Sequence, residues 1–265
     1  MFRPPTPLVK NLLILNIGIW LVESFMKVDL ANLFGLYFIF DGQFKPFQFV
    51  TYMCLHDTGG IMHLLGNMIG LFFFGPLLEN FLGQKKFLIL YMVTGVGAGL
   101  FYTGVNFLEV NSVKQDVEAY LANPNPDDFN RLVVKHVDRP TPEFLDFIDD
   151  YARNENSVQK IQESMYYARM IYSPRGNYRL VGASGAIFGI LAAFALFFPN
   201  TEIYMLFIPF PIKAKYLVGA YILYELYAEF QRSPNDSVAH LAHLGGALIA
   251  WILVTQWKKD RGSFY

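Results

Sequence analysis

The stretch "LVGASGAIFG", Leu180 to Gly189, decides how this chain is read. About seventy mainly polar residues precede it, and an almost wholly apolar run follows it to about residue 198. Between them a single hydroxyl, Ser184, stands beside Ala183 and Gly185 at the mouth of an apolar helix. Such small neighbours leave room next to the hydroxyl and let a second helix come close. The serine is therefore either a packing residue in a small-residue stripe or a group with a chemical task.

The surrounding composition says where that helix lies. Charged residues make up 16% of the 265 and hydrophobic residues 54%. Soluble domains carry about 25% charged residues, so the deficit indicates a membrane protein. Aromatic residues reach 17%, which suits lipid-facing and interfacial positions. A net charge of -1 gives no reason to expect nucleic acid as a partner. Cys54 is the single cysteine, so no internal disulfide forms.

Six apolar segments are read, at about 8–26, 61–78, 87–108, 182–198, 216–230 and 238–257. A span needs about 20 mainly apolar residues, so several are short or tilted. The fifth is the weakest, because it holds Glu225 and Glu229. The first follows Arg3 and Lys10 as a signal peptide would, yet it lacks a small-x-small cleavage site and five more segments follow. It is read as an anchor. With the N-terminus inside, the inner loops and ends hold Arg3, Lys10, Lys85, Lys86, Lys213, Lys215, Lys258, Lys259 and Arg261. The short outer loops hold Lys27, Lys45 and Arg232. Nine against three places both termini in the cytoplasm.

The expected organisation is an all-α, multi-pass membrane protein in three parts. Residues 1–108 carry the first three transmembrane helices, with a first outer loop at 27–60. Residues 109–179 form a polar, helical extracytoplasmic insert with nine basic and twelve acidic residues. Residues 180–265 carry the last three helices. Within the insert, Thr141 and Pro142 mark a helix start, and Val158, Ile161, Met165 and Ala168 repeat at helical spacing.

Polar groups inside spans are expensive and mark function. His63 and Asn67 lie four apart, hence on one face of the second segment. Ser184 opens the fourth segment, and His243 lies near the start of the sixth, in "AHLAHLGGALIAW". These three segments all run from outside to inside, so the four groups share a depth below the outer surface.

Chemistry supplies a reason for them to meet. A serine hydroxyl is a weak nucleophile until a base takes its proton. His243 can be that base, and later the acid that protonates the leaving amine. His63, Asn67 and the backbone N–H of Ser184 can hold a tetrahedral oxyanion, the last aided by its place at a helix N-terminus. Gly246 and Ala250 follow His243 on its helix face, and Gly185 and Gly189 lie four apart, so the two helices can pack closely. No acidic residue is read as placed to orient His243. Glu79 is read as a structural partner of a basic group. A metal site built from His56, His63, His240 and His243 is a rival, but no carboxylate or cysteine is read at their depth. No metal or cofactor is expected.

Taken together, "HLLGN", "GASGAIFG" and "AHLAHLGGAL" make the chain resemble the rhomboid family of intramembrane serine proteases. The resemblance covers nearly the whole chain except the insert. It implies a six-transmembrane-helix bundle and a Ser-His dyad, with Ser184 as nucleophile and His243 as base. It also implies an oxyanion-stabilising role for His63 and Asn67. The reaction implied is hydrolysis of a peptide bond in or near a substrate's transmembrane segment. The partners implied are transmembrane proteins within the lipid bilayer, and a bacterial cytoplasmic membrane is expected. Two departures stand out: Phe47-Gln48 where the family often has Trp-Arg, and Ala250 where glycine is common. The polar loop "QRSPNDS", 231–237, is placed to cap a wet cavity over Ser184. Two other classes compete: a catalytically silent relative that binds membrane clients, and a transporter or channel. The latter needs polar groups along a whole pathway, whereas here they cluster at one depth.

Overall fold

The computed structural model describes residues 4–137, 139–172, 179–205, 209–231 and 238–262. Two compact units are present. The first comprises Met1–Tyr37, Gln43–Thr103 and Arg179–Tyr265; the second comprises Phe38–Gly42 and Gly104–Tyr178. Most of the expected capping loop 231–237 lies outside the described residues.

Each of the six apolar segments lies in helix, but they are not equally suited to crossing a bilayer. Helices α1 (Pro7–Met26), α4 (Ile61–Leu82) and α5 (Gln84–Ala122) are long and apolar enough to do so. Helix α9 (Ser184–Phe197) has 14 residues. That is about 21 Å at 1.5 Å per residue, short of a hydrocarbon core of about 30 Å. Helices α10 (Ala214–Gln231) and α11 (His240–Gly262) carry ionisable residues along their length. A two-stranded antiparallel ribbon, β1 (Glu202–Ile203) with β2 (Ile212–Lys213), joins α9 to α10.

Helix α9 is the centre of the first unit. Nine of its residues are buried, from Gly185 to Phe194, so it is enclosed on all sides. Its contacts fix directions. Gly70 of α4 faces Ile187, and further along both helices the Phe74 and Phe194 rings meet at 5.0 Å. Both numbers rise together, so α4 and α9 run the same way. On α11, Gly246 approaches Gly185, and Lys258 Nζ donates to the Leu196 carbonyl at 2.6 Å. Helices α9 and α11 are therefore parallel as well. The N-terminal ends of α4, α9 and α11 lie at one end of the unit, which is the geometry that a shared depth requires.

Two features of this unit differ from the sequence reading. Residues 27–60, read as a loop, contain α2 (Leu30–Phe34), α3 (Gln48–Thr51) and a 3-10 turn at Tyr52–Cys54. Gln48, at the place of the family's arginine, is 1% exposed and organises the segment. Its Oε1 accepts from the backbone N–H groups of Lys45 (3.0 Å) and Tyr37 (3.4 Å). Its Nε2 donates to the carbonyls of Gln43 (3.1 Å) and Leu33 (3.2 Å). A buried amide thus meets its hydrogen-bonding needs without a charge. Glu79, in turn, is structural, but among the described residues its partners are not basic groups. Its carboxylate accepts from the Thr6 hydroxyl and from the backbone N–H groups of Leu8 (3.2 Å) and Val9 (3.0 Å). It satisfies the free donors at the start of α1, where a negative charge is favoured.

The second unit is helical. It holds the C-terminal part of α5 with α6 (Pro126–His136), α7 (Pro142–Arg153) and α8 (Val158–Tyr172). Both α6 and α7 begin on a capping side chain followed by proline: Asn125 accepts from Asp128 N and Thr141 from Phe144 N. The four helices enclose their own apolar core around Phe129, Phe147 and Tyr151.

Candidate active site

The segment entering α9 is held by backbone. Leu180 pairs with Leu36 in an antiparallel bridge, and Gly182 N–H donates to the Tyr52 carbonyl at 2.9 Å. Gly182 has φ +127°, a conformation that L side chains rarely adopt. It also faces the site. The point where a Cβ would sit on Gly182 lies 2.7 Å from His63 Nε2 and 3.7 Å from Ser184 Oγ. Glycine here turns the chain into α9 and keeps clear the space between hydroxyl and imidazole. Ser184 is the first residue of α9 and is half-buried. The first-turn N–H groups of a helix have no intrahelical acceptor, so they are available to an anion beside that hydroxyl.

His63 is the third residue of α4 and Asn67 lies one turn later. The Asp57 backbone N–H donates to His63 Nδ1 at 3.5 Å. That leaves the proton of the neutral ring on Nε2, the nitrogen nearest Gly182. Asn67 is 6% exposed, and its Nδ2 has no hydrogen-bond partner among the described residues. A buried amide donor without an acceptor costs stability, so Asn67 is a donor in search of an oxygen. His56 packs on His63 with ring centroids 5.2 Å apart. Burial, with the neighbouring His63 ring adding to it, pushes His56 down to about 3, so this imidazole is neutral.

His243 comes from α11, next to the close approach of that helix to α9. Its ring lies flat on Phe188, one turn after Ser184, with centroids 4.2 Å apart and an interplanar angle of 8°. Its Nδ1 meets Glu225 Oε2 at 2.9 Å. His240 Nδ1 meets the same oxygen at 2.6 Å. This corrects the sequence reading twice. An acidic residue does face His243, and a carboxylate does lie at the depth of the α11 histidines. It comes from α10, where the charge read only as a weakness of the span. Glu225, His240 and His243 are all buried, and their ligand atoms lie within 4.8 Å of one another. The 2.6 and 2.9 Å separations are direct hydrogen bonds.

Ser184, His63, Asn67 and His243 are thus brought to the same end of three parallel helices. Gly182, Phe188 and Glu225 join them, and the sequence reading assigned none of these a role. Gly182 was legible as a turn glycine before an apolar helix. Phe188 gave no signal. Chemically the arrangement offers an alcohol at a helix N-terminus and two side-chain donors on one flank. On the other lies an imidazole whose Nδ1 faces a buried carboxylate.

Known proteins share parts of this sequence. A family model described as the Rhomboid domain matches residues 43–111 and 164–257. The chain is also similar to a protein named RHOMBOID-like protein 12, mitochondrial, from Arabidopsis thaliana. The two are 23% identical over 248 residues, covering 88% of this chain and 57% of that relative. The chain therefore spans little more than half the length of the relative.

Proposed function

We propose that this chain, which belongs to the rhomboid family, is a serine endopeptidase that hydrolyses peptide bonds in or near transmembrane segments. Family and apolar helices make it an integral membrane protein. The observation that carries the further step is the point beside Gly182, within reach of both His63 Nε2 and Ser184 Oγ. A scissile carbonyl bound in the space that this glycine leaves open has a nucleophile and an oxyanion donor on hand.

In the proposed reaction His243 Nε2 takes the proton of Ser184 Oγ as that oxygen attacks the carbonyl carbon. His63 Nε2–H, Asn67 Nδ2–H and the first-turn N–H groups of α9 stabilise the oxyanion. His243 then gives its proton to the leaving nitrogen, and water repeats the cycle on the acyl-enzyme. Water reaches Ser184 from the outer side in this reading, with six transmembrane helices and both termini in the cytoplasm of a bacterial cell. Because a helix hides its carbonyls in hydrogen bonds, a substrate must unwind at the cut, which favours Gly or Pro nearby.

A fluorophosphonate probe tests this reading. The adduct is expected on Ser184 by mass spectrometry, with labelling strongly reduced in His243→Ala. A client-binding relative without chemistry leaves Ser184 unlabelled, and that result overturns the proposal. Asn67→Ala is expected to lower turnover of a transmembrane reporter substrate by about 10- to 1000-fold, the range for one oxyanion donor. Unchanged turnover in that variant removes Asn67 from the site.

A further inference from the structure

We infer that Glu225 is a positioning residue that converts the Ser184–His243 pair into a Ser-His-Glu relay, a role that rests on the hydrolase reading above. Glu225 is 2% exposed, in the span-like helix α10. Among the described residues its hydrogen-bond partners are two imidazoles, and none of its partners there is a lysine or arginine. A buried carboxylate is tolerated only when donors meet it. Here both donors are Nδ1–H groups, and both converge on one oxygen, Oε2.

Three consequences follow for the chemistry. An ionised carboxylate only accepts, so the neutral His243 ring holds its proton on Nδ1 and keeps the Nε2 lone pair. The hydrogen bond to Glu225 and the flat stack on Phe188 together fix the ring's position and tilt. When the Ser184 Oγ–H bond breaks and the Oγ–C bond forms, the proton goes to His243 Nε2. The imidazolium that results lies 2.9 Å from the carboxylate, which keeps its negative charge and takes no proton. The proton later leaves His243 for the departing nitrogen, and Glu225 is unchanged throughout. The same oxygen also ties α10 to α11 at the level of the reacting groups, so a shift of α10 would move the base as well.

The test uses the purified full-length protein in detergent micelles, with wild type, Ser184→Ala, Glu225→Gln and Glu225→Asp. Glutamine keeps the size and an accepting oxygen but not the charge. Glu225→Gln is expected to lower kcat by about 10²- to 10⁴-fold, the scale seen when a triad acid becomes an amide. KM should stay within about threefold, since the carboxylate does not touch substrate. Aspartate is expected to restore part of kcat. An activity-independent readout accompanies these rates: imidazole 15N–1H spectra of the Ser184→Ala protein should show His243 protonated on Nδ1, with a strongly downfield proton that disappears when Glu225→Gln is added. Glu225→Gln cleaving within about threefold of wild type overturns the inference. So does a neutral His243 protonated on Nε2, whether or not the variants fold. Failure of the two readings is distinguishable: a wild type that neither cleaves nor labels removes the hydrolase, whereas a wild type matched by Glu225→Gln removes the relay alone.

Discussion

Ser184→Ala is expected to abolish cleavage of a transmembrane reporter substrate, by at least about 10⁴-fold in kcat, while leaving the fold intact. Removing the nucleophile of a serine protease costs on the order of 10⁶-fold, with a residue of catalysis from the oxyanion donors and from binding. The fold should survive because the hydroxyl has no structural duty that the geometry reveals. The N-cap of α9 is Ala183, which makes no side-chain cap bond. Alanine is also smaller than serine and favours helix. The unfolding midpoint should move by no more than a degree or two, in line with a change of about 0.5 kcal/mol or less. Parallel measurement of cleavage and thermal unfolding separates the two effects. Residual cleavage near the wild-type rate would end the mechanism.

The second large effect is expected at Gly246, away from any reacting atom. A Cβ built there overlaps the backbone carbonyl oxygen of Gly185. A clashing side chain can change rotamer, but the backbone carbonyl of a helical residue cannot. Gly246→Ala must therefore push α11 off α9. The overpacking should cost about 1–3 kcal/mol. Cleavage should fall further than stability does, by about 10²-fold, because His243 rides on α11 and Ser184 on α9. A misplacement of about 1 Å is enough for such a loss. Gly219→Ala on α10 is the control, since nothing lies within 4 Å of its added Cβ. It is expected to keep activity and to match or exceed wild-type stability. Equal behaviour of the two variants would show that the α9–α11 contact does not set the site.

These two residues show how far the sequence could be read. Ser184, His63, Asn67 and His243 each sit at the N-terminal end of an apolar segment. Three segments running the same way carry such groups to one level, whatever the details of packing. Gly246 was legible for the same reason: a small residue one turn after an ionisable group signals a close helix pair. Glu225 was not. Its value lies in two partners on another helix, 15 and 18 residues further along the chain. A hydropathy reading registers a carboxylate only as a cost to its own span. The better signal was the pairing itself, since a buried acid requires donors and "HLAH" supplies two imidazoles three residues apart. Glu79 shows the same limit, because its partners among the described residues are two backbone N–H groups and the Thr6 hydroxyl rather than a basic side chain. Helices shorter than a bilayer, such as α9, are legible as apolar but not as spans; their enclosure by neighbours is a property of the assembled unit.

The Glu79 carboxylate also constrains the order in which the chain matures. The amide hydrogens at the start of α1 have their acceptor 70 residues downstream, near the end of α4. When the first helix leaves the ribosome that acceptor has not yet been synthesised, and only water can serve those groups. Helix one therefore gains its final anchorage after helix four has emerged, and the two are completed as a pair.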